Sequence, residues 1–191
     1  MEILIRRACP EDNEHIVAHI ILAMEDIIFR FIGEESSEKA FAFLSSLVKE
    51  RGNLYSYENC WVAEHGSEVV ATAVVYDGAD YSRLKIPVAN RVKAMFGRSF
   101  EFENETGPGE YYVDSVGVSR EHQGKGIGSR LFRFLIEEYV SRKRTALGLL
   151  VDKENPTAKK LYLKLGFEKV GDLVLAGKSM EHLQVKHKNI Y

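Results

Sequence analysis

Gln123-Gly124-Lys125-Gly126-Ile127-Gly128 stands between an apolar run, Tyr111-Tyr112-Val113-Asp114-Ser115-Val116-Gly117-Val118, and a segment in which Ile127, Leu131, Leu135 and Tyr139 recur at helical spacing. The pattern reads as strand, glycine turn, helix. Alternating glycines let a backbone approach a ligand without Cβ obstruction. The free N–H groups and dipole of a helix start attract an anion such as a pyrophosphate. One exposed contact of this kind is worth only about 0.3–1 kcal/mol, so several must converge; Lys125 offers a further charge. A flexible turn without a ligand is the bland alternative.

Two other phosphate-binding patterns are disfavoured. Gly124, Gly126 and Gly128 are spaced G-x-G-x-G, whereas the dinucleotide fingerprint needs G-x-G-x-x-G. Gly177-Lys178-Ser179 has the end of a P-loop, but its required earlier glycine falls on Asp172 and a strand, not a helix, is expected to follow.

Downstream, the pattern predicts a helix over 126–142, a strand over 146–151, a helix over 156–165 and strands over 167–174 and 180–186. The crossover is long enough for the strands at 111–118 and 146–151 to pair in parallel. Asn155-Pro156 is a strong helix start, and Gly166 suits a left-handed cap before Phe167 returns to the core. Upstream, Ile3, Ile5 and Arg7 alternate in a short strand stopped at Cys9-Pro10. A helix over 11–29 ends at Gly33, and Ser36 or Ser37 caps a second one to about residue 49. Strands over 60–64 and 68–76 form a hairpin through His65-Gly66-Ser67. Residues 77–109, with a helix over 83–96, read as an insertion that either lines an acceptor pocket or forms a mobile surface loop.

A chain of 191 residues with 45% apolar content fits one domain, 1–191. Its 26 basic and 28 acidic residues give a net charge of -2, which disfavours nucleic acid and anionic membranes as partners. The apolar stretch at the start is too short for a signal peptide, and no run of about 18 apolar residues occurs, so a cytoplasmic protein is expected. Cys9 and Cys60 show no metal-ligand spacing, and no metal is expected. Residues 1–50 carry ten acids and five bases. Glu25, Asp26, Glu34, Glu35 and Glu38 either solvate helix surfaces or make a mildly cation-attracting acceptor side.

Val113-Asp114-Ser115-Val116-Gly117-Val118, the Gln-x-x-Gly-x-Gly at 123–128, and Asn155-Pro156-Thr157-Ala158-Lys159-Lys160-Leu161-Tyr162 with Gly166-Phe167 together resemble the GNAT N-acetyltransferase superfamily. The resemblance is firm over 111–170 and weak before it. It implies a mixed α/β fold of about seven mostly antiparallel strands with one central, parallel, splayed pair, flanked by helices. It divides the domain into an acceptor-side half (1–110), an acetyl-CoA-binding core (111–170) and a C-terminal hairpin strand and tail (171–191). It further implies that the backbone amides of Gln123, Gly124, Lys125, Gly126, Ile127, Gly128 and Ser129 hold the pyrophosphate of coenzyme A. The backbone at Val116 and Val118 would pair with the pantetheine arm, with Asn155, Ala158 and Tyr162 completing the site.

The implied chemistry is direct acetyl transfer from acetyl-CoA, as cosubstrate, to an amine. Such a transfer needs a neutral amine, a donor for the developing oxyanion and a tolerable thiolate leaving group. An alkylamine of pKa about 10.4 is only about one part in 2,500 neutral at pH 7, so a proton acceptor is useful. Asp114 stands where many relatives carry a glutamate and is the candidate base, through water because aspartate is shorter; a strand-end carboxylate bonded to the loop is the alternative. The Val118 N–H is the implied oxyanion donor. Tyr162 is the implied general acid at the sulfur, against the alternative of an aromatic packed beside Leu161 and Leu165. The acceptor is expected to be a small-molecule primary amine, with a protein amino terminus or lysine as the alternative. A non-catalytic coenzyme A sensor and a nucleotide-binding regulatory domain are the readings of other classes. Monomer and homodimer are both open, and the tail at 187–191 either pairs across a dimer or frays.

Overall fold

The computed structural model describes residues 2–187; the last four positions of the tail lie outside the described residues. The elements are β1 (Leu4–Arg7), α1 (Asn13–Ile32), α2 (Ser37–Val48), β2 (Cys60–His65), β3 (Glu68–Asp77), α3 (Tyr81–Phe96), β4 (Glu110–Val118), α4 (Ile127–Leu135), β5 (Ala146–Asp152), α5 (Pro156–Lys164), β6 (Glu168–Leu175) and β7 (Lys178–Val185). The strands form a single seven-stranded sheet in the order β1-β2-β3-β4-β5-β7-β6. All neighbours are antiparallel except β4 and β5, the pair joined by a helical crossover. This is the mixed sheet with one parallel pair expected from the sequence.

Successive side chains of a strand point to opposite faces, and here the alternation feeds two cores. Val62, Val74, Tyr76 and Tyr112 join α1, α2 and α3 on one face. Trp61, Ala63, Ala73, Val75 and Val113 pack on the other against Ile127, Leu131, Leu135 and Tyr139, the stripe visible in the sequence. Those four residues are at most 1% exposed, and burying each aliphatic one contributes about 1.5–3 kcal/mol. The helix that α4 begins continues over Ile136–Arg142 as a wider, π-helical stretch.

Helix α1 starts later than expected, because Pro10–Asp12 forms a separate 3-10 turn, and it runs on to Ile32 before Gly33 ends it. Ser36 caps α2 by accepting from the Lys39 N–H at 3.3 Å. The predicted helix at 83–96 begins at Tyr81 and runs through Pro87. Near that proline, the Leu84 carbonyl also accepts from the Leu54 N–H at 3.2 Å, tying α3 to the segment after α2. Among the described residues no helix is long and apolar enough to cross a membrane.

Two backbone irregularities position the site. Strand β4 pairs with β3 through Val74↔Ser115 and Val75↔Val113, so Asp114 is the extra residue of a β-bulge. Pairing of β4 with β5 ends at the same point, Val113↔Leu149, and from Asp114 onward the two parallel strands separate. A bulge bends its strand and re-aims a side chain, which accounts for both the opening and the direction of Asp114. Helix α1 departs from helical geometry at Met24 (φ -149°, ψ 36°). It lies so close to β4 that a Cβ on Gly117 would sit 2.0 Å from the His19 carbonyl oxygen.

Candidate active site

The glycine turn has the form that anion binding requires. Gly124 and Gly126 hold φ of +74° and +78°, and no atom lies within 4 Å of where a Cβ would project from either. Left-handed geometry of this kind costs other residues about 1–2 kcal/mol. The first intrahelical bond of α4 runs from the Arg130 N–H to the Gly126 carbonyl at 3.1 Å, so the N–H groups of Ile127, Gly128 and Ser129 have no partner within the helix. Gly126 caps α4 without a side-chain bond, and no acid stands in the first turn. The Gln123 side-chain amide donates to the Val118 carbonyl at 3.1 Å, tying the turn to the end of β4.

Strand β4 supplies the second element. The Ser119 N–H bonds the Val70 carbonyl on the β3 side at 2.9 Å. Backbone groups alternate in direction along a strand, which leaves Val116 and Val118 facing the β5 side, where the neighbouring strand has moved away. An extended amide-bearing chain fits this slot. The donors, the open turn and the gap suit a pantetheine pyrophosphate.

A cavity of about 310 Å³ meets this gap. Asp114, Ser115 and Val116 of β4, Leu150 of β5 and Tyr162 of α5 line it, so both side chains singled out for proton transfer share one space. Its other walls come from α1 around the kink (Ala23, Met24, Ile27, Arg30, Phe31), the 100–105 stretch and the β6–β7 turn. The Phe31, Phe100 and Phe102 rings pack with centroids 4.7–5.0 Å apart, holding the 100–105 stretch onto α1. Glu103 Oε2 accepts from the Ala176 N–H at 2.6 Å, fastening that stretch to the β6–β7 turn.

Asp114 accepts from the Tyr76 hydroxyl at 3.0 Å through Oδ1, while Oδ2 is buried without a partner among the described residues. Burial pushes its carboxyl up to about 6, against the smaller opposing effect of the Tyr76 bond. Burial likewise raises the Tyr162 phenol. The Tyr162 ring also packs edge-on against Phe132 at 5.1 Å and tilts against Phe167 at 5.9 Å, so its packing role is present beside any chemical one. Asn155 Oδ1 accepts from the Ala158 N–H at 3.0 Å, the capping role expected of it, and Ala158 packs against the core beneath α4. Lys125 projects from the exposed part of the turn.

Sequence reasoning missed a second carboxyl in this cavity. Glu105 accepts from the Tyr112 hydroxyl at 3.1 Å and the Tyr81 hydroxyl at 3.3 Å. The signal available was the period-two alternation Phe100-Glu101-Phe102-Glu103-Asn104-Glu105 inside the segment left as an insertion or loop. The acids proposed earlier for a cation-attracting side, Glu25, Asp26, Glu34, Glu35 and Glu38, are all exposed, and none lines this cavity. The cavity acids are instead Glu101, Glu103, Glu105 and Asp114.

Comparison with known proteins agrees with this geometry. An N-alpha-acetyltransferase RimI from Mycobacterium tuberculosis is 39% identical over 66 residues, 35% of this chain and 40% of that protein. A spermine/spermidine N(1)-acetyltransferase of Bacillus subtilis is 29% identical over 90 residues, 46% of this chain and 58% of that one. Both matches span less than two thirds of the relative's length. A solved acetyltransferase structure superposes with a TM-score of 0.81 at 32% identity, over 97% of this chain and all of the other. The model of the acetyltransferase (GNAT) family matches residues 21–167, taking in β4, the glycine turn, α4, β5 and α5. With a bulged, splayed strand pair leading into an open glycine turn, the chain belongs to the GNAT acetyltransferase family.

Proposed function

We propose that this protein transfers the acetyl group of acetyl-CoA directly to the primary amine of a small molecule bound in the cavity beneath the kink of α1. The observation that carries this reading is Asp114, which lines the cavity where β4 and β5 separate and whose Oδ2 is a buried acceptor with no partner among the described residues. A carboxylate there takes a proton from an ammonium group, through water where the reach is too long, and frees the nitrogen lone pair for attack. The Val118 N–H, facing the gap, is placed to donate to the developing oxyanion. Tyr162, on the opposite wall, is placed to protonate the departing sulfur. A thiol of pKa about 8.5 loses its proton at a cost of only about 2 kcal/mol at pH 7, so this assistance is modest.

The acceptor's charge and size follow from the walls. Among the described residues four carboxyl-bearing side chains line the cavity, with Arg30 as the one basic lining residue, which favours a cation. A spermine/spermidine acetyltransferase among the relatives agrees with that preference. The RimI relative keeps a protein amino terminus as the second reading. The 100–105 stretch lines the cavity and is fastened to the β6–β7 turn through Glu103 and Ala176, which narrows the space and so supports a small acceptor.

A thiol-release assay with acetyl-CoA, run against separate pools of small amines and of peptides, tests the reading. Turnover with amines is expected. Turnover confined to peptides selects the second reading. Coenzyme A binding in a thermal-shift measurement without turnover on either pool selects a sensor domain.

A further inference from the structure

The proposed reaction needs one proton acceptor, yet the cavity is lined by two half-buried carboxyls, Glu105 and Asp114. Glu105 comes from the stretch before β4 and Asp114 from the bulge within it, and both line the same wall. Each is bonded only to phenols: Glu105 to Tyr81 and Tyr112, Asp114 to Tyr76. Tyr76 joins the two halves, stacking on Tyr81 with centroids 6.2 Å apart and tilting against Tyr112 at 5.8 Å. Among the described residues no lysine, arginine or histidine is paired with either carboxyl, and Asp114 Oδ2 has no partner at all.

We propose that Glu105 and Asp114 are a carboxyl pair that holds one proton between them when no acceptor is bound and releases it to solvent when an ammonium docks beside Asp114. Two neighbouring carboxylates in a poorly solvated site cannot both ionise cheaply, and their protons leave in two steps that belong to the pair. The surroundings agree: burial, then repulsion from Asp114, pushes Glu105 up to about 8, and burial pushes Asp114 up to about 6. The groups facing the pair are Tyr76 on β3, Tyr112 on β4, Tyr81 at the start of α3, Tyr55 and Cys60 beneath Asp114, Glu103 on the same stretch as Glu105, and Arg30 and Tyr162 across the cavity. The release step rests on the proposed amine acceptor; the shared proton does not.

The protons balance. Docking of R–NH3+ beside the singly protonated pair expels one H+ and leaves both carboxyls ionised. Once acetyl-CoA is also bound, Asp114, made more basic by the ionised Glu105, takes a proton from the ammonium and restores the singly protonated pair. The neutral amine forms its C–N bond to the thioester carbon, the C–S bond breaks, and the remaining surplus proton on nitrogen passes to the sulfur as CoA–SH leaves. Glu105 touches no reacting atom in this scheme and is a positioning residue that sets the proton affinity of Asp114.

Infrared difference spectroscopy on the full chain tests the pair, because a neutral carboxyl C=O stretch is separate from that of a carboxylate. The wild-type protein at pH 7 should show such a band, lost as pH rises with a midpoint near the value of about 8 for Glu105, and absent from Glu105→Gln. Absence of the band at pH 7 in the wild type, or its persistence unchanged in Glu105→Gln, overturns the proposal. The wild-type titration stands alone if the variant does not fold. This measurement contains no acetyl-CoA and no amine, so it can succeed where the amine reading fails, and the reverse. Saturating the protein with n-butylamine, followed by tyrosine fluorescence, should remove the same band; a band that survives in the saturated protein overturns the release step.

Discussion

The Tyr76 hydroxyl bonds Asp114 Oδ1 at 3.0 Å while the other carboxylate oxygen, Oδ2, stays buried without a partner among the described residues. The strand pairing Tyr76↔Tyr112 brings Tyr76 within reach across the β3–β4 ladder, next to the bulge that turns Asp114 into the cavity. A half-satisfied carboxylate is costly to bury, and this cost sits where the proposed chemistry needs a proton acceptor.

Asp114→Asn should therefore separate stability from activity. The folded-state carboxyl at about 6 lies above the about 3.9 of an exposed aspartate, so the folded protein binds the proton more tightly than the unfolded chain. Stability contributed by that proton is complete below the unfolded value and is lost as pH rises through the folded one. The asparagine variant should match the wild type near pH 4 and exceed it at pH 8, by on the order of 1–3 kcal/mol in chemical denaturation. Its kcat at pH 7 should fall by about a hundredfold or more. Equal stability of the two proteins at pH 8 would refute the buried-charge account.

Wild-type kcat/KM should in turn lose activity as pH falls through about 6, the value that burial gives Asp114. This acid limb should be missing from whatever residual activity Asp114→Asn retains. A pH-rate profile of the two proteins decides it.

Tyr162→Phe keeps the edge-on packing against Phe132 and removes only the hydroxyl. The thiolate argument limits the expected loss to about 10–30-fold in kcat, with coenzyme A affinity by calorimetry little changed. Full turnover in a variant whose chemical step is shown to be rate-limiting rules out the acid role.

Gly126→Ala meets no neighbouring atom, yet it must adopt φ of +78°. The strain of about 1–2 kcal/mol either remains or is relieved by rotating the amides that open α4. Coenzyme A affinity should fall about tenfold in calorimetry, and kcat at saturating acetyl-CoA should be largely kept. Unchanged affinity would show that these amides do not hold the diphosphate.

Gly117→Ala probes packing instead. The new Cβ would meet the His19 carbonyl at 2.0 Å, a contact with backbone that cannot swing aside. Helix α1 must lift from β4, and a loss of about 1–3 kcal/mol is expected in thermal or chemical denaturation. The cavity walls Met24 and Ile27 ride on the same helix, so acceptor KM should rise as well.

The sequence was most legible where each signal is local. The Asn155-Pro156 start, the Gly166 end and the Ile127, Leu131, Leu135 and Tyr139 stripe are all decided within one helix, and so their bounds came within a residue or two. The kink at Met24 left no trace, because Ile16, Ile20, Ala23 and Ile27 continue the helical period across it. Tyr76, Tyr81, Glu105 and Tyr112 were unreadable as a cluster for another reason. They are brought together by ladder register and by the start of α3, relations between distant segments that no spacing records. The 100–105 alternation was masked by Gly97, Gly107, Pro108 and Gly109, which mark a loop by composition.

The bulge at Asp114 means that the carboxylate and the slot proposed for the pantetheine arm are not independent parts. Excising that single residue would restore an even ladder with Val113↔Val75 and Ser115↔Val74 as consecutive pairs, remove the local bend, and let β5 continue its pairing past Leu149. The cleft and its acid would vanish in one step.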